Sequence, residues 1–358
     1  MVALALTTRS NSSADGKDVS ASGKDARVAQ IIAAWTKRAN AIHNVKATLE
    51  LHTALKAALL HAAHPHIQSQ QHPKKATQEC TQVTNILLDL VNHRYRVDRK
   101  GGIYSLSLGR VMRQEMTSVF VDGKGKTYWH NPEVEGDVPK HQGMIDGRHA
   151  FTSELMCAFA EPLIVYARPA SCGLDVTHRL GPDDFEILST KRRGSSRIVE
   201  CAPTKEKGIR FELDSSRDYV LVGKTAMGKT NSGQQMTIEY GPDEGYGPIP
   251  RQSTYASLGP GGAIKKVSTT RVLNIETNVA LSDSMFEFEF PEGTVVDVVG
   301  KVQPPLTAKA HGRLVPSQDI EGPSDSRWRW GRVWIGVGNA VVVIMLALIV
   351  LRRRFKWG

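Results

Sequence analysis

Cysteine is scarce in this sequence, and the short motifs that mark common catalytic sites are missing. There is no GxSxG or HExxH motif, and no cysteine has a histidine partner in a recognisable setting. The cysteines form no CxxC pair and no zinc-ligand spacing; they could pair in three ways in an oxidising compartment or remain free buried thiols. We therefore expect no enzyme activity and no cofactor. The cysteines are Cys80, Cys157, Cys172 and Cys201.

Long hydrophobic runs are also absent until the C-terminal end, where residues 333–351 carry no charged side chain. A helix of this length reaches roughly 28 Å, close to the thickness of the hydrocarbon core of a bilayer. Asn339 is its single polar side chain, and tryptophans lie near both ends. The stretch predicts a transmembrane helix with a basic tail at 352–358. Its defining residues are Val333, Trp334, Leu346 and Leu351, followed by Arg352, Arg353 and Arg354.

Residues 1–26 are poor in side chains that could form a core, and they lack the basic leader and long apolar segment of a complete signal peptide. We interpret them as a flexible lead-in or the remnant of a signal. Lys and Arg flank the predicted span on both sides, with a slight excess after it. This bias favours a single-pass membrane protein whose bulk lies outside the cytoplasm, in the periplasm, with a cytoplasmic C-terminus.

The net charge of +10 raises the question of nucleic-acid binding. However, four of the basic residues follow the predicted span, where they suit anionic headgroups. The others alternate with Asp and Glu, and no helix carries a basic stripe, so we expect no nucleic-acid partner.

Residues 27–299 predict one mainly β (α+β) domain. Val28 to Ile42 show helical spacing, and a second helical pattern runs from Leu155 to Leu163 before Pro169. Short alternating segments separated by turn signals predict consecutive antiparallel strands, with hairpin turns at Asp122-Gly123 and at Gly194. The last strand begins at Met285. Residues 300–332, rich in Pro and Gly, predict a linker to the anchor.

A His- and Gln-rich stretch at 53–82 interrupts this pattern and predicts a surface insertion. Its imidazoles suit zinc, copper or nickel, but prolines break any helix that would fix their geometry. No Cys, Asp or Glu completes a ligand set beside them. We therefore predict no metal site, with His61, His64 and His66 as weak candidates.

The segment from Gly223 to Thr230 matches the P-loop pattern GxxxxGK[ST]. A P-loop needs a helix directly after it, because the helix N-terminus helps to bind the phosphates. Here Met236, Ile238 and Tyr240 alternate as a strand instead. We interpret 223–233 as a loop between antiparallel strands and expect no nucleotide partner.

The order of elements resembles the bacterial lipoprotein carrier and lipoprotein-sorting superfamily of the LolA type, which is related to RseB-type regulators. The resemblance lies in the opening helix, the strands at 94–99 and 119–130, the second helix and the ending 273–298. It implies an incomplete antiparallel β-barrel, a sheet curled around a few helices, with an apolar cavity that accepts acyl chains. The implied cavity residues are Ile31, Trp35, Leu155, Phe159, Leu163, Phe286, Phe288 and Phe290.

Two functions are consistent with this resemblance. The first is a membrane-tethered, extracytoplasmic protein that binds lipid or lipoprotein acyl chains in an apolar cavity on the concave face of the sheet. The second is a non-enzymatic sensor or interaction module for a membrane partner, with the cavity filled by its own side chains. An open cavity of several hundred Å3 favours the first function, and aromatic side chains that fill it favour the second.

Overall fold

The fold was analysed in a computed structural model. It describes residues 21–56, 77–105, 108–133, 140–147, 160–171, 181–204, 208–228, 232–243, 247–299, 306–309 and 314–316. These residues form a large curled open sheet with two α-helices, α1 (Ala21–Ala41) and α2 (Glu161–Ala167). The predicted mainly β, open-sheet class is confirmed.

The strands form two antiparallel meanders. The first comprises β1 (Asn44–Lys56), β2 (Thr77–Asp89), β3 (Arg94–Ser105), β4 (Arg110–Val121), β5 (Lys124–His130) and β6 (His141–Asp146). The second comprises β7 (Phe185–Arg193), β8 (Ser196–Pro203), β9 (Ile209–Asp214), β10 (Val220–Met227), β11 (Gly233–Asp243), β12 (Pro248–Leu258) and β13 (Ile264–Thr277).

The antiparallel pair β1 and β13 joins the two meanders into one sheet. Three short strands continue it beyond β6: β14 (Val295–Val298), β15 (Leu306–Ala308) and β16 (Leu314–Pro316). β14 pairs in parallel with β6. The prediction of a linker over 300–332 is therefore wrong for 306–308 and 314–316, which form strands of the sheet, with β16 at its edge.

Turn chemistry explains several of the hairpins. Asp122 and Gly123 connect β4 to β5 with φ values of 51° and 73°, as a two-residue turn with left-handed backbone requires. Gly194, with a φ of 61°, serves the β7–β8 hairpin. Both hairpins are confirmed at the predicted positions.

The two faces of the sheet differ in what covers them. We call the face that carries Val45, Leu49 and Tyr95 the helix face, because these side chains form one buried cluster with Leu163 of α2. The opposite face, which we call the outer face, carries the alternate residues of the same strands, such as Lys46 and Arg94. Strand alternation thus separates an apolar side from a polar one.

Two predicted elements differ from the observed ones. α1 begins at Ala21 in the described chain, earlier than the helical spacing that starts at Val28, so the interpretation of 1–26 as a flexible lead-in is wrong for 21–26. The segment predicted as a final strand, 285–290, forms a 3₁₀ turn at Asp283–Phe286 and then an extended stretch outside any ladder. Its side chains still alternate between buried and exposed, because it lies against the sheet instead of pairing within it.

β1 and β2 also occupy both ends of the predicted insertion. They pair without interruption from Asn44 opposite Asp89 to Lys56 opposite Thr77. Residues 57–76, with His61, His64 and His66, lie outside the described residues.

None of the helices in the described part of the chain is long and apolar enough to cross a bilayer. The predicted anchor lies outside that part, so the transmembrane helix stays a prediction.

Candidate functional site

On the helix face, the predicted cavity residues pack into the core. Ile31 and Trp35 of α1 are at most 2% exposed and cluster with Phe185, Phe211 and Leu221. The Trp35 ring lies 5.7 Å from that of Phe185, and its indole Nε1 donates to the backbone oxygen of Tyr219. Leu163 is fully buried. Leu155 and Phe159 lie outside the described residues.

The largest fully buried side chains on this face are aromatic. Trp35, Tyr95, Tyr166 and Phe211 are each at most 2% exposed. Beside Glu161 and Lys224, the space left between α2 and the sheet is a cavity of about 10 Å3. Within the described chain, the protein's own side chains therefore fill this part of the helix face.

Phe286, Phe288 and Phe290 lie on the opposite side of the sheet. Phe286 lies beneath the Arg94 guanidinium, 4.5 Å from ring centroid to Cζ. Phe288 and Phe290 contact each other edge to face at 5.3 Å, and Phe288 lies 6.0 Å from Tyr128 of β5. The expectation that these three rings share a cavity with Ile31, Trp35 and Leu163 is wrong, because the sheet separates the two groups.

The chain from residue 278 to residue 290 crosses the outer face, and we call it the strap. Its beginning is attached by asparagines. Asn278 donates through Nδ2 to Ala41 O and accepts from the backbone N of His43, at 2.8 Å each. Asn278 has a φ of 56°, a backbone conformation that asparagine tolerates better than most residues.

Cations from the sheet hold the rest of the strap. Arg94 donates to Asp283 at 2.6 Å and also to Asp89 in its own hairpin. Arg96 donates to the backbone oxygens of Met285 and Glu287, and Lys126 donates to that of Phe288. The extended strap is therefore fixed mainly by side chains bonding to its backbone and not by a ladder.

Two cavities adjoin the strap on the outer face. The first, which we call the apolar groove, has a volume of about 380 Å3 between the strap and strands β1 to β3. Its apolar lining includes Leu87, Val279, Ala280 and Met285, and Met285 is 42% exposed. The charged residues that also line it are Lys46, Arg96 and Asp98. Thr48 of β1 contributes to its floor.

The second cavity is more polar. It has a volume of about 890 Å3 and lies between the strap and the β4–β5 hairpin. Val119, Val121 and Phe286 supply apolar surface, and charges of both signs surround them. The charged residues that line it are Arg94, Asp122, Lys124, Lys126, Asp283, Glu287 and Glu289.

A row of polar side chains crosses β4, β5 and β6 near the end of the strap. The His130 and His141 rings stack at 4.6 Å, and the Tyr128 hydroxyl lies 2.7 Å from Nδ1 of His141. Burial and the neighbouring His130 lower the pKa of His141. Glu115 lies 3.8 Å from His130. Even so, no cluster of three or more His, Cys, Asp or Glu in the described ranges is placed to hold a metal ion.

Glu161 and Lys224 form a buried ion pair at 2.7 Å beneath α2. Burial raises the pKa of the Glu161 carboxyl, and Lys224 opposes this effect. Lys224 belongs to the P-loop pattern, but Gly223 to Met227 lie within β10, and β11 begins at Gly233. The predicted loop is therefore shorter than 223–233; Lys229 and Thr230 lie outside the described residues.

The two cysteines that the structure describes are free. Cys80 lies half-buried on β2, and burial raises the pKa of the Cys201 thiol to about 12. Cys157 and Cys172 lie outside the described residues, so a disulfide between these two, or two free thiols, stays a prediction.

No family model matches the chain, and no curated protein matches its sequence. Among solved structures, a DUF1329 family protein from Desulfovibrio piger is 11% identical, with 72% of this chain and 97% of that one covered and a TM-score of 0.33. A β-barrel-like DUF1849 protein from Brucella abortus is 7% identical, with 66% and 99% covered and a TM-score of 0.19. At these TM-scores, neither likeness carries an argument about function.

Sequence reasoning missed the outer-face cavities. The apolar groove combines strand residues between positions 46 and 98 with strap residues between positions 279 and 285. The alternating phenylalanines were a signal that the segment packs on one side, but they did not indicate on which face of the sheet.

Proposed function

We propose that the protein is a membrane-tethered, non-enzymatic module that binds lipid or lipoprotein acyl chains, and that it is related to the LolA-type carriers. The tether is residues 333–351, with the described domain outside the cytoplasm. In this proposal the acyl chain does not lie between the helices and the sheet. It binds on the outer face, in the apolar groove beside the strap.

The observation that carries the proposal is the volume and lining of that groove. A volume of about 380 Å3 lies within the range of small-molecule sites. Burying an acyl chain is favourable by about 0.8 kcal/mol per methylene, so ten methylenes would outweigh a substantial ordering cost. Met285 and Ala280 present apolar surface to water that such a chain would cover.

Photoaffinity labelling tests this proposal. Full-length protein in nanodiscs would be irradiated with a diazirine-labelled fatty acid, and the labelled peptides would be mapped by mass spectrometry. We expect labels on the strap near 279–285 and on β2 near Leu87. Lipid extracted from the purified protein should show a bound acyl species by mass spectrometry.

A matched pair of substitutions makes the result specific. Met285→Lys places a charge in the groove and should abolish labelling there. Val91→Lys is the control, because Val91 is 61% exposed in the turn after β2 and is absent from the groove lining. Equal labelling in both variants would contradict the proposed site.

A second candidate function is a sensor or interaction module for a membrane protein. The aromatic side chains that fill the described part of the helix face favour it. It predicts that no acyl probe labels the domain, and that a photoreactive amino acid at position 285 crosslinks to a membrane protein. Acyl labelling at the groove would argue against it.

A further inference from the structure

A third cavity opens at the ends of β11, β12 and β13, and we call it the arginine pocket. Its volume is about 490 Å3. Arg251 and Arg271 line it together with Glu239 and Gln252, and Leu273 and Ile249 supply apolar surface. The pocket therefore combines two guanidinium groups with an apolar wall.

Two irregularities in the sheet build this pocket. Gln252 is opposite Glu239 and Pro250 is opposite Tyr240, so Arg251 is an extra residue in β12. Leu273 is likewise extra in β13, because its neighbours pair with consecutive residues of β1. A bulge redirects the side chain of the extra residue. Arg251 lies over Gly241, where a Cβ atom would overlap its side chain.

Neither guanidinium has a partner among the described residues. There the side chains of Arg251 and Arg271 make no hydrogen bond and no ion pair, although Glu50 is opposite Arg271 in the register. Among the described lining residues Glu239 is the single carboxylate, so the charged groups of this described lining sum to +1. Guanidinium groups bind carboxylate and phosphate oxygens in bidentate geometry.

The arginine pocket and the apolar groove adjoin each other. Asn274 lines the pocket, Thr48 lines the groove, and the two residues are opposite each other across β13 and β1. Neighbouring strands are about 4.8 Å apart, so a ligand with a short alkyl chain can reach both sites. Leu273, 51% exposed, is the bulged residue next to Asn274.

We infer that the ligand is a single-chain anionic amphiphile, with its carboxylate or phosphate group bound by Arg251 and Arg271 and its alkyl chain in the apolar groove. This inference rests on the proposed acyl-binding function and adds the chemistry of the head group. The two positively charged guanidinium groups favour an acidic head group, and the adjoining apolar groove favours an alkyl chain.

Competition against the photoreactive fatty acid tests it on the full-length protein in nanodiscs. The competitors are dodecanoate, dodecyl phosphate, uncharged methyl dodecanoate and inorganic phosphate. The variant Arg251→Gln with Arg271→Gln is compared with Arg110→Gln with Arg197→Gln, which removes two exposed arginines from outside the pocket. We expect the pocket variant to weaken competition by both acids about tenfold or more and to leave the ester unchanged.

The outcomes separate the inference from the function on which it rests. Stronger competition by dodecyl phosphate than by dodecanoate would identify a phosphate head group. Stronger competition by dodecanoate would identify a carboxylate head group. Both results support the inference. If the ester competes as well as the acids in every variant, the head-group inference is wrong and acyl binding stands. If inorganic phosphate competes as well as dodecyl phosphate, no chain is recognised. Without labelling of the wild type, both proposals fail.

Discussion

The side-chain amide of Asn44 makes both backbone hydrogen bonds of Val279. Its Oδ1 accepts from Val279 N at 2.8 Å, and its Nδ2 donates to Val279 O at 3.1 Å. Asn44 begins β1, and Val279 is the second residue of the strap. The amide thus takes the place of a strand partner where the strap leaves the sheet.

We expect Asn44→Ala to loosen the start of the strap. It removes two partly buried hydrogen bonds, so the free energy of unfolding should fall by about 1–2 kcal/mol in urea denaturation. Limited proteolysis should cut within 278–290 faster than in the wild type. Asn85→Ala is the control, because Asn85 makes an exposed side-chain bond to Thr48 on the same face. If Asn44→Ala and Asn85→Ala lower the free energy of unfolding equally, the side-chain amide of Asn44 has no special role in holding the strap.

Asp89 should make stability depend on acid pH. Burial alone would raise the pKa of its carboxyl, but hydrogen bonds from Asn92 and Arg94 outweigh burial and lower it. The folded-state pKa therefore lies below the unfolded value of 3.8. The stabilising contribution is present above that value and is lost as pH falls through the folded-state pKa.

The measurement is the free energy of unfolding of the wild type and of Asp89→Asn, from neutral pH down to about pH 2. The difference between them should be largest at neutral pH and should shrink in acid. A difference that does not change with pH would mean that the two proteins differ in packing and not in ionisation.

Gly143 should not tolerate alanine. A Cβ atom there would come within 2.6 Å of the ring of Phe290, at the end of the strap, and within 3.0 Å of Val296 in β14. We expect Gly143→Ala to lower the free energy of unfolding by about 1–3 kcal/mol. Gly147→Ala meets nothing within 4 Å and serves as the control. Similar stability of the two variants would show that the Phe290 ring moves aside at little cost.

Deletion of residues 327–358 should release the protein from membranes. No segment before residue 333 has 18 consecutive apolar residues, so the predicted span is the only sequence feature expected to anchor the chain. Membrane fractionation with carbonate extraction provides the measurement. If the shortened protein still sediments with membranes and resists carbonate, the anchor prediction is wrong. An unchanged urea midpoint would show that the deletion left the sheet intact.

Local sequence determined much of the β architecture. Alternation predicted most strands from β1 to β13, and Asp122-Gly123 and Gly194 predicted their hairpins, because these signals depend on neighbouring residues. Helical spacing predicted α1 and the beginning of α2, which includes Leu163. The charge-free stretch at 333–351 is likewise a local signal, and its function as an anchor stays a prediction.

Only the tertiary structure decided which surface each apolar residue covers. The alternation of Phe286, Phe288 and Phe290 shows that one side is buried, but burial against the outer face and burial against the helices give the same pattern. The pairing of β1 with β13, the pairing of β14 with β6, and the adjacency of Arg251 and Arg271 depend on contacts distant in sequence. Such contacts follow from how the whole sheet pairs, bulges and curls, and no local period encodes them.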